Sequence, residues 1–197
     1  MFERIESLGT YTDVDGQRVG LLRPDVDSEA ESVRDQREAG TQACFIAEGS
    51  EYLHHWFGHD RPEVIERLCV FCRTGSDGSM AAFWIDDAGG QRIVHLGSGS
   101  GSLLSCVLAE APVDFLRLLA IGYGEICWNE EFDRTPAAAE NGSLDEIHGD
   151  FQNWVRDEFD VTIPETASEI VRHPAEMDDA VSEDDFHCWL SASASAE

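Results

Sequence analysis

Residues 93–126, "IVHLGSGSGSLLSCVLAEAPVDFLRLLAIGYGEI", change character twice. They begin as a short apolar strand, break into glycine and serine in alternation, and close on an apolar pattern of helical period. The helix is the firmest part. Pro112 suits its opening turn, Phe115, Leu116, Leu119 and Ile121 give it an apolar face, and Gly122 and Gly124 end it. The strand is one arm of an antiparallel hairpin: roughly Met80 to Asp86 pairs with Arg92 to Leu96 around Gly89 and Gly90. Between the glycines and the helix, "LLSCVLA" reads as a third strand or a short helix.

A glycine loop between strand and helix raises the question of phosphate binding. A Walker loop needs G-x-x-x-x-G-K-[ST], with backbone amides around the anion and a lysine to neutralise it. Here Gly97, Gly99 and Gly101 recur every second residue, and the chain contains no lysine. The dinucleotide fingerprint G-x-G-x-x-G is missed as well, because position 102 is serine. The loop is therefore expected to be a connection, and no cofactor is expected. Other catalytic signatures are equally wanting: there is no G-x-S-x-G elbow and no H-E-x-x-H. No catalytic residue is assigned, although Cys44, Cys106, Cys127 and Cys188 are thiols and His148 is a base without a place.

Upstream, "YTDV" and "RVGLL" read as strands joined through Asp15-Gly16. The polar run "DVDSEAESVRDQREAG" is an exposed helix capped by Ser28 or a loop, and "TQACFIAEGSEYLHHWF" fits strand or helix. "DRPEVIERLCVF" reads as a helix with Asp60 as cap and Val64, Ile65 and Leu68 on one face. Downstream, Ser143 and Glu146 have the spacing of a capping box for a helix bearing Ile147, Phe151, Trp154, Val155 and Phe159. "VTIPETASEIVRHP" adds a short helix between prolines. On the central hairpin, Phe83 and Trp84 face opposite sides of a strand, so only one of them is expected to be fully in the core. Trp154 and Phe159 are expected in the core by their helical spacing.

Length and charge bound the rest. A chain of 197 residues, 42% hydrophobic, has material for one domain with a real core. It has no apolar run of membrane-spanning length, and "MFERIESLGTYTDVDG" has no apolar core of a signal, so the cytoplasm is the expected location. Forty acidic residues stand against 13 basic ones, all arginine, for a net charge of −27. Such a surface repels nucleic acid and anionic membranes and attracts basic proteins. Adaptation to salt accounts for the same composition without a partner. From Asp157 onward the only basic residue is Arg172. Cys69 and Cys72 form one C-x-x-C without a second pair; together with His54, His55 and His59 they lack zinc-site spacing, so no metal is expected.

The order of segments carries a resemblance. A glycine-rich turn leads to the "AAFW" strand, a tight turn to "IVHLGS", then an apolar piece to "DFLRLLAIGYGEI", and "FQNWVRDEFDVTIPETASEIV" closes the pattern. From about Glu63 to Val171 the chain resembles the SUKH superfamily, which includes a yeast regulator of cell-wall synthesis and many bacterial immunity proteins. The resemblance implies an α+β domain with a central, largely antiparallel sheet flanked by helices. It sets a SUKH-like single domain at 1–174, with 1–60 poorly aligned, and leaves 175–197 as an acidic C-terminal extension. It also implies a non-catalytic bacterial immunity protein that neutralises a basic, nuclease-like toxin by direct binding. A regulatory or scaffold module with an endogenous partner is the alternative. The expected contacts with such a partner are acids at exposed turns: Asp86 and Asp87 on the hairpin, and Glu130, Glu131 and Asp133 beyond the helix.

Overall fold

The computed structural model describes residues 10–12, 18–20, 43–49, 53–140 and 149–194. Strands β1 (Thr10–Thr12) and β2 (Arg18–Gly20) pair antiparallel in a two-stranded ribbon. The Asp15-Gly16 turn between them, the polar run 25–40 and the capping box at Ser143 and Glu146 lie outside the described residues. The main sheet is an antiparallel meander of five strands in chain order: β3 (Cys44–Gly49), β4 (Leu68–Arg73), β5 (Met80–Ile85), β6 (Gln91–Leu96) and β7 (Val107–Ala109). Helices α1 (Leu53–Phe57) and α2 (Pro62–Ile65) link β3 to β4. Helices α3 (Pro112–Ile121), α4 (Gly149–Phe159) and α5 (Asp185–Ala194) follow the sheet. The α+β class expected from the resemblance is the class observed.

Alternation along β5 and β6 sends side chains to two faces. Ala81, Phe83 and Ile93 face a core completed by Phe115, Leu118 and Leu119 of α3 and by Phe151 and Val155 of α4. Ala82, Trp84, Val94 and Leu96 face a second core completed by Leu53 of α1 and Phe186 of α5. The sheet therefore lies between two helical layers. Phe83 and Trp84 do point to opposite faces, but both are buried, at 7% and 2% exposure. The expectation of a single buried partner fails because α5 returns to cover the second face. Trp84 sits 5.5 Å from Trp189 and 5.2 Å from Phe186, ring centre to ring centre. The 175–197 segment, read as an extension, thus contributes directly to the packing of the sheet through residue 194.

Three local readings need correction. The helix expected from Asp60 to Phe71 is only α2, one turn opened by Pro62 at its start and without a side-chain cap; Asp60 does not cap it. Leu68 onward is strand, a continuous apolar run from Leu68 to Cys72 that is covered on both faces. A bulge between Val70 and Cys72 then puts Phe71 and Cys72 on the α3 side together, so Phe71 stacks on Phe83 at 4.4 Å. The "IPETASEI" helix is a single 3₁₀ turn, Ala167–Glu169. Trp154 and Phe159 pack on the first core while only partly buried; Phe151 and Val155 are the fully buried positions of α4. By contrast α3 ends as read, with Gly122 in the left-handed region at φ 98° and its N–H donating to the Leu119 carbonyl.

Candidate functional site

The glycine loop does hold an anion, and the anion is its own. Asp77, from the β4–β5 connection, projects its carboxylate into residues 97–102. Oδ2 accepts from the Ser98 hydroxyl at 2.7 Å, the Ser102 amide at 2.8 Å and the Ser79 hydroxyl at 2.9 Å. Oδ1 accepts from the Ser79 amide at 3.0 Å. Each alternating glycine has its own reason: Gly99 takes a left-handed φ of 73°, and Gly101 and Gly97 are crowded. A Cβ on Gly101 would stand 2.6 Å from Asp77 Oδ2, and one on Gly97 would stand 2.6 Å from the Ser102 carbonyl. Partial burial works against ionisation of Asp77, but the bonds from Ser102, Ser79 and Ser98 outweigh it and hold its pKa below the ordinary carboxylate value. Of the loop amides, Ser102 donates to Asp77, Ser98 to the Ser79 hydroxyl, Gly101 to the Ser98 hydroxyl and Gly99 to the Ser102 carbonyl.

Behind this loop lies His95, with no exposed surface. The Leu104 carbonyl, 2.8 Å from Nδ1, can only accept, so Nδ1 carries the proton. Nε2 then accepts from the Thr74 hydroxyl at 2.8 Å. Burial pushes the pKa of His95 down to about 4. The ring is a neutral buried link between β6 and the start of the Asp77 turn.

The five acids expected to meet a partner fall into two separate groups. Asp86 and Asp87 sit on the β5–β6 turn. Glu130 and Glu131 lie in the 3₁₀ turn Asn129–Glu131, shortly after Cys127, whose carbonyl is bonded by Ser102 at the other end of those strands. Six-residue strands with about 3.3 Å per residue separate the two ends, so one small contact does not span both.

Within the hairpin, Asp86 has a structural task. Its Oδ1 accepts the amides of Gly90 at 2.7 Å and Ala88 at 2.9 Å, and Oδ2 lies 3.2 Å from Arg92 Nη2. The Gly90 amide, followed by Ala88 and Arg92, holds its pKa below the usual range. Asp87 is 85% exposed but pairs with Arg67 at 2.7 Å. Arg67 lies 4.9 Å from the Trp189 ring centre and Arg92 4.8 Å from that of Trp84. Both hairpin acids therefore engage arginines that lie on tryptophans of the second core.

In the other group, Glu130 and Asp133 are exposed, but Glu131 is not a surface acid: it is 3% exposed, and its Oε1 accepts the Glu140 amide at 2.8 Å. A 3₁₀ turn at this point rotates it inward while its neighbours stay out. That inward turn corrects its expected place on a contact surface.

Of the cysteines whose side chains are described, Cys188 is exposed and the other four lie in or beside the packing. Cys72, Cys106 and Cys127 are buried and Cys69 partly so. Burial pushes the thiols of Cys69, Cys106 and Cys127 upward and keeps them protonated. The C-x-x-C lies along β4, away from any helix start. Among the described residues no group of three or more His, Cys, Asp or Glu is placed to hold a metal ion.

The acidic region that the sequence marked after Asp157 is largely surface. Asp157, Glu158, Asp160, Glu165, Glu169 and Asp178 are exposed. Asp184 is the exception, and sequence reading passed it over. Only 3% exposed, it accepts the His187 amide at 2.8 Å as the cap of α5 and the Val107 amide of edge strand β7 at 2.9 Å. One carboxylate thus starts the last helix and docks it to the sheet. Its spacing to His187 was a legible cap signal; its bond to β7 had no local signal.

Among the described residues no helix is long and apolar enough to cross a membrane. The chain matches no protein-family model, no curated protein and no solved structure.

Proposed function

We propose that this chain is a non-catalytic protein-binding module that captures a basic protein, in the manner of a bacterial immunity protein neutralising a nuclease-like toxin in the cytoplasm. One observation carries the reading: five arginines among the described residues are engaged by the chain's own acids, while most of the described acids from Asp157 onward face outward. Arg61, Arg67, Arg92, Arg117 and Arg134 each pair internally, with Glu63, Asp87, Asp185, Asp114 and Glu140. What the molecule offers to a passing protein is therefore predominantly negative. A nuclease carries cationic residues to hold phosphates, and an acidic surface meets the same residues. Association is steered by the long-range field and completed by charge-assisted hydrogen bonds.

Co-expression with the product of the adjacent reading frame tests this. The expected result is a product toxic alone, harmless alongside this chain, and associating more slowly as ionic strength rises. An innocuous product that still binds favours the regulatory module. A chain that captures no basic protein, and that unfolds at low salt, supports adaptation to salt and refutes the proposal.

A further inference from the structure

A cavity of about 240 Å³ opens between edge strand β7 and residues 170–185. Its walls include Val107 and Ile170, and its acids are Glu110, Glu183, Asp184 and Asp185, with Arg92, Arg172 and His173 beside them. We propose, building on the reading of the chain as a binder of a basic protein, that this cavity receives one arginine or lysine side chain of that partner.

Size comes first. The volume is below the roughly 300–1,000 Å³ of ordinary small-molecule sites and equals roughly eight waters' share of liquid. It suits a single long side chain. The lining then selects which one. Val107 and Ile170, both 9% exposed, are apolar surface against which a methylene stem can lie while its charged head reaches outward. The head would meet Glu183, 86% exposed, and the outer faces of Asp185 and Glu110, 69% and 63% exposed.

The two guanidiniums do not reverse this polarity. Arg92 is already held by Asp185 at 2.8 Å, Asp86 at 3.2 Å and Glu110 at 3.8 Å, with its plane beside Trp84. Arg172 is the only basic residue of the chain after Asp157, against the four lining carboxylates. Four lining carboxylates against two guanidiniums leave the cavity net negative, so an incoming cation is favoured over an anion.

The cavity is also built on fixed backbone. Asp184 ties the start of α5 to Val107, the Ser105 amide donates to the Ala175 carbonyl at 2.7 Å, and the Met177 amide donates to the Leu103 carbonyl at 2.8 Å. A bound side chain therefore meets a preformed seat and need not order it. On the same segment, outside the cavity lining, Met177 and Val181 are exposed at 37% and 89%.

The test uses the full chain and N-acetyl-arginine amide, with N-acetyl-alanine amide as control, followed through backbone amide resonances. Saturable shifts confined to Val107, Glu110, Ile170 to His173 and Glu183 to Asp185 are expected for the arginine compound alone. Glu183→Arg, at an exposed position whose carboxylate lies 3.5 Å from His173 Nδ1, should weaken that binding roughly tenfold or more. Shifts spread equally over Asp157, Glu158 and Asp160 would mean diffuse attraction and overturn the cavity. Complex formation with the co-expressed basic protein supplies the second arm. A Glu183→Arg chain that binds it undiminished refutes the cavity and leaves the binding function standing. An unaltered chain that binds no basic protein removes the function and the occupant together.

Discussion

Lowering the pH from about 7.5 to about 5 should cost this fold about 2 kcal/mol through His95 alone. In the folded chain the ring is fully enclosed, donating from Nδ1 to Leu104 and accepting at Nε2 from Thr74, and burial takes its pKa from the ordinary 6.5 to about 4. Between those values the unfolded chain binds a proton that the folded chain refuses. Stability contributed by the neutral ring is thus complete above about pH 6.5, declines as the pH falls, and is gone below about pH 4. Each unit of difference corresponds to about 1.4 kcal/mol, so the whole gap amounts to about 3 kcal/mol, of which about two-thirds is lost by pH 5. The measurement is urea unfolding followed by tryptophan fluorescence, on the unaltered chain and on His95→Gln. Glutamine keeps a donor for Leu104 and an acceptor for Thr74 and does not titrate. Its pH dependence should be flatter by about 2 kcal/mol over this interval, whatever its absolute stability. Parallel curves for the two proteins would refute the coupling of His95 to folding.

Two other substitutions test the joints of the fold. Asp77→Asn replaces an acceptor oxygen by a donor facing either the Ser102 or the Ser79 amide, so one backbone N–H loses its partner. The cost is expected at about 2 kcal/mol, or a melting point about 4–8 °C lower for a chain of this size; an unchanged calorimetric transition would contradict the anion role of Asp77. Asp184→Ala strips the cap of α5 and the acceptor of the Val107 amide at once, with about 2–3 kcal/mol expected from denaturant midpoints. Its emission should shift to the red as Trp189 loosens from Trp84, and a loss under about 0.5 kcal/mol would show that α5 docks by its apolar contacts alone.

Elements whose signals are local were legible in the sequence. Gly89 and Gly90 between alternating strands produce the β5–β6 hairpin, and Pro112 and Gly122 bound α3. Elements decided by distant residues were not. Leu68 fits the helical face of Val64 and Ile65 and equally opens the apolar run Leu68 to Cys72, and only pairing of Leu68 with Trp84 across the sheet decides for strand after α2. Trp84 is buried because Phe186 and Trp189 reach it from a segment whose acidity and low complexity suggested an appendage. The same distance hid Asp77 from the glycine loop: the loop reads as a connection, and nothing near residue 77 announces which anion fills it. Among the five acids expected at a contact, exposure of turn residues was a sound guide for Asp87, Glu130 and Asp133. It failed for Glu131, whose inward rotation depends on backbone geometry, and it overlooked that Asp86 is needed by its own turn.

The cover provided by α5 bears on the order in which the chain can assemble. Strands β4 to β6 join through short connections, so their closure sacrifices little chain freedom. The contact of Phe186 with Trp84 closes a loop of roughly a hundred residues and carries a larger entropic penalty. Until that loop shuts, one side of the meander presents Trp84, Val94 and Leu96 to water, and the period of exposure is governed by a long-range closure.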